Sequence, residues 1–338
     1  RRSWDADVAV NVVRFRRDGS DAWGVVERDG RSRSVAELDL DCSTTGAFVT
    51  AAARAVALGS LGAHRTGRSV SLDEIDVLSP VTDDADLVCQ AINYRSHMRE
   101  CGFDPKTSPF NVFFAKASSS LAAPTTEIVC PAGVAYLDYE VEIGLVLGSR
   151  VVGPVDIAAE NLADHVVAIV ALNDVSARDV QLAETQFYRA KSYRTFTPTG
   201  PHLTLVDGSD LARFDELRLR LWVNGELRQE STAADMIHRP AETLTELSSV
   251  QNWRPGDLVA TGTPGGCALR VPRWPLRVAA LAMSPARRFD AVRSAAAKNP
   301  RRLRPGDVVE ASIATDDGAI DLGRQRCLVV AQHDRPGT

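Results

Sequence analysis

The stretch Asp138-Tyr139-Glu140-Val141-Glu142-Ile143-Gly144-Leu145-Val146-Leu147 decides how the rest of the chain is read. It opens by alternating acidic and apolar residues and then becomes a continuous apolar run, as expected of a strand entering a core that buries both its faces. Successive strand side chains face opposite sides, so Glu140 and Glu142 share one face, about 6.6 Å apart along the strand. Two carboxylates pointing the same way repel, and each raises the other's pKa unless a cation lies between them. On an exposed edge strand such a pair is a solvated polar face. At the mouth of a buried strand it points to a hard divalent ion with oxygen ligands.

Working outward, Asn173-Asp174-Val175-Ser176-Ala177-Arg178-Asp179-Val180-Gln181 follows an apolar run over 165–172 that stops abruptly. Asp174 is therefore a candidate third carboxylate, with Arg178 and Gln181 one and two turns on if a helix starts there; N-D-x-S is equally a capping sequence. Lys191 sits in the aromatic stretch 188–196, where it either packs its stem or holds an enolate or carboxylate. In Asn93-Tyr94-Arg95-Ser96-His97-Met98-Arg99-Glu100, a helix would put His97 and Glu100 on one face. A carboxylate beside an imidazole fixes its tautomer and raises its basicity, as a general base requires. Thr261-Gly262-Thr263-Pro264-Gly265-Gly266 lacks the G-K-[ST] ending of a nucleotide P-loop. Its backbone N–H groups and Thr263 remain candidates for holding a carboxylate or oxyanion.

The chain around these motifs has 338 residues, about two domains' worth, with 44% hydrophobic and 25% charged residues, which excludes a disordered chain. A net charge of −5 gives no electrostatic reason to expect nucleic acid as a partner. No run approaches the roughly 20 apolar residues of a membrane span, and no apolar segment near Arg1 reads as a signal peptide. A soluble, cytoplasmic protein is the expectation. The six cysteines (42, 89, 101, 130, 267, 327) form no C-x-x-C pair, and the six histidines (64, 97, 165, 202, 238, 333) no H-x-x-x-H pair, so a Cys/His zinc site is not expected.

Residues 1–82 read as a small N-terminal α/β module: strand-like runs at 8–13 and 23–26 parted by Arg16-Arg17-Asp18-Gly19, then a helix over 47–58 closed by Gly59. Ser79-Pro80 and the acidic 83–86 form a hinge, and 83–333 reads as the catalytic domain. There the texture is α+β and β-rich. Asn224-Gly225 is a strong hairpin signal, and Arg-Pro-Gly-Asp, at 254–257 and 304–307, fits a type II turn before a strand. Helical periods are read near 158–170, 241–250 and 285–298, too few for a doubly wound α/β fold.

The motifs N-Y-x-x-H-x-x-E, D-Y-E-x-E, N-D-x-S-A-R-D-x-Q, K-S-Y, P-x-G-P, V-N-G-E, T-G-T-P and P-G-D fall together across residues 87–332. In combination they resemble the fumarylacetoacetate hydrolase family, in its acylpyruvate-hydrolysing branch. The resemblance implies a mixed β-sandwich roll, a catalytic Mg²⁺ (or Mn²⁺ or Ca²⁺) and a homodimer. It places the metal ligands on Glu140, Glu142 and Asp174, the catalytic residues on His97, Glu100 and Lys191, and substrate contacts on Tyr94, Arg178, Gln181 and Thr263. The implied activity is metal-dependent hydrolysis of a C–C bond in a β-diketo acid. An oxaloacetate-type decarboxylase, a 2-oxo acid hydratase or isomerase, and a metal-free binding protein that keeps only the fold are the alternatives. Two features depart from the family pattern: Arg194 stands where many members carry aspartate, and an insertion over 270–304 holds ten basic residues against one acid, Asp290. That insertion is expected to be a helical excursion near the active site or a subunit contact.

Overall fold

The computed structural model describes residues 9–29, 32–40, 43–57, 60–107, 111–184, 186–269 and 282–332. Cys42, Gly59, His333 and the first part of the basic insertion, 270–281, lie outside them. Two sheets carry most of the chain. In the larger, ten strands follow one another from Arg65–Ser71 at one end to Val112–Lys116 at the other, with Thr197–Leu205, Val166–Asn173, Val141–Leu147, Leu258–Ala260 and Leu87–Ala91 in its middle. The smaller has five strands, in the order Glu226–Thr232, Arg218–Val223, Val308–Ala314, Asp321–Ala331 and Glu127–Cys130. Most pairings are antiparallel, but Leu258–Ala260 runs parallel to Leu87–Ala91 and Asp321–Ala331 parallel to Glu127–Cys130. The leading module is stitched to the rest by hydrogen bonding, since Val10, Asn11 and Val12 pair with Leu205, Thr204 and Leu203.

Strand Val141–Leu147 is buried along its whole length. Val141, Ile143, Leu145 and Leu147 pack in one core with Leu219, Leu221 and Ile313 of the smaller sheet. Val146, on the other face, packs with Leu258, Phe48 and Val49, the last two from helix Thr45–Ala57. Each such side chain contributes about 1.5–3 kcal/mol by leaving water. That burial is what holds Glu140 and Glu142 in a dry environment, where an unpaired charge costs several kcal/mol.

The turn chemistry appears as expected. Asn224 (φ 52°) and Gly225 (φ 79°) close the hairpin between Arg218–Val223 and Glu226–Thr232. Both Arg-Pro-Gly-Asp copies make the same turn: Gly256 and Gly306 have φ of 93° and 96°, and each Asp accepts the backbone N–H of its Arg. Helices Pro240–Val250 and Pro285–Ala297 match the helical readings there. The segment 158–170 does not: it holds a short turn of helix, Leu162–Asp164, and then strand Val166–Asn173. Val166–Leu172 is apolar at every position because both faces are buried, and such a run carries neither a helical nor a strand period. No described helix is long and apolar enough to cross a membrane.

In the described part of the basic insertion, helix Pro285–Ala297 packs against helix Arg178–Glu184. Beyond it, Asn299 donates to Ala268 O at 2.6 Å and Arg301 to Gly266 O at 2.7 Å. The inserted segment thus braces both the helix that carries Arg178 and the loop around 266–268.

Candidate active site

Two neighbouring strand ends build the centre. Glu140 immediately precedes strand Val141–Leu147, and Asp174 follows strand Val166–Asn173, whose Asn173 pairs with Val141. Asn173 Oδ1 accepts the Glu140 N–H at 2.9 Å, and Glu140 O accepts the Asp174 N–H at 2.8 Å. These bonds fix the carboxylates: one oxygen from each of Glu140, Glu142 and Asp174 lies within 4.8 Å of the others, and all three residues are buried.

Cations thread most of this cluster in an unbroken chain. Arg178 Nε donates to Asp138 at 2.8 Å and its Nη2 to Glu140. Lys191 Nζ bridges Glu140, at 2.5 Å, and Asp174. Lys116 Nζ donates to the other Asp174 oxygen at 2.5 Å and to Phe196 O at 3.0 Å. Burial disfavours the Glu140 charge, but Arg178 and Lys191 outweigh it and hold that carboxyl well below the usual range. Burial likewise opposes charge on Lys191, and Asp174 with Glu140 holds it protonated. Glu142 is the exception. It receives one hydrogen bond, from Gly262 N–H at 2.9 Å, and among the described residues it forms no ion pair. Burial, with Asp174 and Glu140 beside it, pushes its pKa well up. Asp138, Glu140 and Asp174 thus pair with cations and Glu142 does not, so without a metal its charge is held only at a cost. An all-oxygen donor set with this deficit fits a hard divalent cation.

The cavity over this cluster holds about 230 Å³. At about 30 Å³ per water, it has room for an ion and a small organic acid. Its polar neutral groups are Gln90, Gln181 and Thr263, and its apolar part is made by Phe114, Leu182, Phe187 and Leu269. Ile92, also on the lining, has φ of 54°, a left-handed conformation costly for a β-branched residue. Its neighbour Asn93 holds the turn by donating to Gln90 Oε1, His238 O and Thr261 O.

His97 enters the cavity from helix Arg95–Glu100, whose start is pinned where Asp235 accepts both the N–H and the hydroxyl of Ser96. Its Nδ1 stands 3.9 Å from Glu100 Oε2 and its Nε2 3.8 Å from Cys101 Sγ. Burial disfavours the imidazolium; Cys267, Cys101 and Glu100 outweigh it and raise the pKa. Cys267 itself is pushed up to about 12 by burial. Glu100 is half-exposed and accepts Gly266 N–H on both oxygens at 2.9 Å, so it clamps the loop as well as flanking His97.

The structure therefore gathers His97, Glu140, Glu142, Asp174, Arg178, Gln181, Lys191 and Thr263 around one cavity, with Glu100 behind His97. Tyr94 is not among them: it is fully buried in the core between the sheets and does not line the cavity. Nor is the 262–266 loop an open anion cradle, because Gly262, Gly265 and Gly266 donate to Glu142, Ser96 and Glu100. Arg194 is exposed and takes no part in holding Lys191. Lys116, Asp138, Cys101 and Cys267 were not singled out as site residues. Lys116 leaves a signal, as the one charge ending the run Val112-Phe113-Phe114-Ala115.

With this geometry in view, comparison with known proteins decides the family. The model of the fumarylacetoacetate (FAA) hydrolase C-terminal family matches residues 86–330. The chain belongs to that family. A Mycobacterium tuberculosis protein (Rv2993c) is 36% identical over 203 residues, covering 60% of this chain and 73% of its own. The oxaloacetate tautomerase YisK of Bacillus subtilis is 33% identical over 198 residues, 58% of this chain and 64% of its own. Among solved structures, a fumarylacetoacetate hydrolase from Exiguobacterium antarcticum superposes with a TM-score of 0.70 at 26% identity, covering 96% of this chain and all of that one. Relatives in the family are enzymes, hydrolases, isomerases and tautomerases among them, and commonly use a divalent metal.

Proposed function

We propose that this chain is a Mg²⁺-dependent hydrolase of the C–C bond in a 2,4-dioxo acid of acylpyruvate type. The observation that carries the proposal is the unbalanced charge at Glu142 in a cavity that also presents His97. Glu140, Glu142 and Asp174 would hold a divalent ion, which would supply the counter-charge that Glu142 lacks. When bound, such an ion would act as a Lewis acid that orients the 2-oxo acid and stabilises enolate charge.

The chain's own residues do the rest. In its neutral form His97 takes a proton from the water that attacks the 4-carbonyl; the C3–C4 bond breaks, its electrons go to C3 as an enolate, the acyl group leaves as a carboxylic acid, and the proton on His97 passes to C3 to give the 2-oxo acid. Glu100 keeps Nδ1 turned towards itself, leaving the other ring nitrogen for the water. Lys191 and Arg178 hold Glu140 and Asp174 at fixed positions, so no reorganisation is needed when charge develops. Phe114, Leu182, Phe187 and Leu269 suit an apolar acyl group, and among the described residues that side of the cavity presents no unpaired cation for a second carboxylate.

The oxaloacetate tautomerases among the relatives favour a second reading, interconversion of keto and enol forms of a 2-oxo acid on the same centre. A screen of acylpyruvates and oxaloacetate, with Mg²⁺ and with EDTA, tests both. The proposal expects pyruvate from acylpyruvates, lost in EDTA. Tautomerisation of oxaloacetate without any acylpyruvate cleavage would replace it with the second reading.

A further inference from the structure

Beside the carboxylates, and sharing Glu140 with them, lies a second donor set of different chemical character. His97, Cys267 and Glu140 are all buried, and one ligand atom from each lies within 4.8 Å of the others. Cys101, one helical turn after His97, brings a second buried thiol, with Sγ 3.8 Å from Nε2. Cys267 Sγ stands 3.9 Å from Glu140 Oε1. Two thiols, an imidazole and a carboxylate are donor types of four-coordinate zinc, and thiolate with imidazole selects such ions over Mg²⁺ or Ca²⁺. The set at Glu140, Glu142 and Asp174 is all oxygen and selects the opposite way. Only Glu140 is common to the two.

Packing alone does not account for the arrangement. Both contacts of the His97 ring are long, Nδ1 standing 3.9 Å from Glu100 Oε2 and Nε2 3.8 Å from Cys101 Sγ, whereas buried polar atoms in a finished core are nearly always closely bonded. Cys267 is held in place from both directions. Gln229 Nε2 donates to its Sγ at 3.6 Å, and the preceding Gly266 (φ 106°) lies where a Cβ would meet Arg228 O at 2.2 Å. Only glycine lets the loop approach so closely. With bonds of about 2.0–2.3 Å, tetrahedral zinc ligands stand roughly 3.2–3.8 Å apart, so the His97, Cys267 and Glu140 atoms, within 4.8 Å of one another, close by about 1 Å, and Cys101 swings in from beside His97.

We infer that His97, Cys101 and Cys267, together with Glu140, form a site for a thiophilic divalent cation such as Zn²⁺, separate in chemistry from the three-carboxylate set. Binding releases the thiol protons to solvent. On the reading of His97 as the base, a bound Zn²⁺ withdraws the imidazole from catalysis; that consequence rests on the proposed function, whereas the binding does not.

The test uses the full chain, reduced, stripped of metal and then saturated with Mg²⁺, with Co²⁺ titrated as a coloured substitute for zinc. The expected result is a thiolate-to-cobalt charge-transfer band that saturates at one Co²⁺ per chain. It should vanish in Cys267→Ser, weaken at least about 10-fold in affinity in Cys101→Ser, and persist in Cys130→Ser. Absence of the band, or its survival in Cys267→Ser, overturns the inference. Should Cys267→Ser lose its native circular dichroism, X-ray absorption at the zinc edge of the wild-type protein decides without a variant. Sulfur scatterers support the site and a purely oxygen and nitrogen shell contradicts it. Thermal stabilisation by Mg²⁺ is read in parallel: a cobalt–sulfur band with no Mg²⁺ response refutes the carboxylate metal centre alone, and the converse refutes this inference alone.

Discussion

The two walls of the cavity are built on opposite principles. On one, Asp138, Arg178, Glu140, Lys191, Asp174 and Lys116 form a continuous chain of ion pairs in which each cation has a carboxylate. On the other, both contacts of the His97 ring are long, to a thiol at 3.8 Å and a carboxylate at 3.9 Å. The first wall is already set and would not need to reorganise on binding charge. The second is loosely partnered, which on the proposed function suits a group that exchanges protons. On the proposed function, ion binding falls to the first wall and proton transfer to the second, so substitutions on each should fail in different ways.

The largest expected effect falls on the loose wall. His97→Ala should reduce acylpyruvate cleavage by about 10²–10⁴-fold while leaving Mg²⁺ affinity unchanged; any tautomerisation or decarboxylation of oxaloacetate, which needs no attacking water, should fall far less. Steady-state kinetics beside a metal titration checks the split, and cleavage within a few-fold of wild type removes His97 as the base. On the set wall, Lys191→Met removes the cation between Glu140 and Asp174 and leaves each with a single cation, Arg178 and Lys116, and breaking buried pairs in this way costs up to about 3–5 kcal/mol. A denaturant melt of the metal-free protein reads that loss, and added Mg²⁺ should recover part of it.

Much of this centre was legible in the sequence because its ligands lie where strands end: the acids of Asp138–Glu142 head one apolar run and Asp174 closes another. The pairing of His97 with Glu100 was legible from helical spacing, and the Asn224-Gly225 and Arg-Pro-Gly-Asp turns from backbone chemistry that only a few residues satisfy. The strand Val166–Asn173 was missed because a run buried on both faces shows no period. Lys116, Cys101 and Cys267 were missed for another reason: each is unremarkable in its own segment and acquires a partner only when distant segments meet. Tyr94, assigned to substrate by resemblance, belongs to the core instead.

A smaller effect should sharpen the contrast within the set wall. Glu142→Gln removes a buried carboxyl that has no cation, so at alkaline pH, where the wild-type group must ionise, the metal-free variant should melt a few degrees above wild type, consistent with about 1–2 kcal/mol. The pH dependence follows from the raised Glu142 pKa. The folded state binds that proton more tightly than the unfolded one, so the group's contribution is full below the ordinary glutamate pKa and is lost as pH rises through its folded value. Metal-free wild type should lose this stability towards alkaline pH, and Glu142→Gln should lack that part of the slope. The smallest effect belongs to Arg194→Asp, at an exposed position that takes no part in holding Lys191, which should change activity less than about two-fold in the same assay.

The central claim is that the uncompensated Glu142 carboxylate completes a site for a hard divalent ion. Direct titration of Mg²⁺ into metal-free wild type and Glu142→Gln, followed by calorimetry, tests it most directly. Wild type should bind one Mg²⁺ per chain, and the variant, though folded, should bind at least about 100-fold more weakly. Equal affinity in the two proteins, or no saturable binding in wild type, would contradict it.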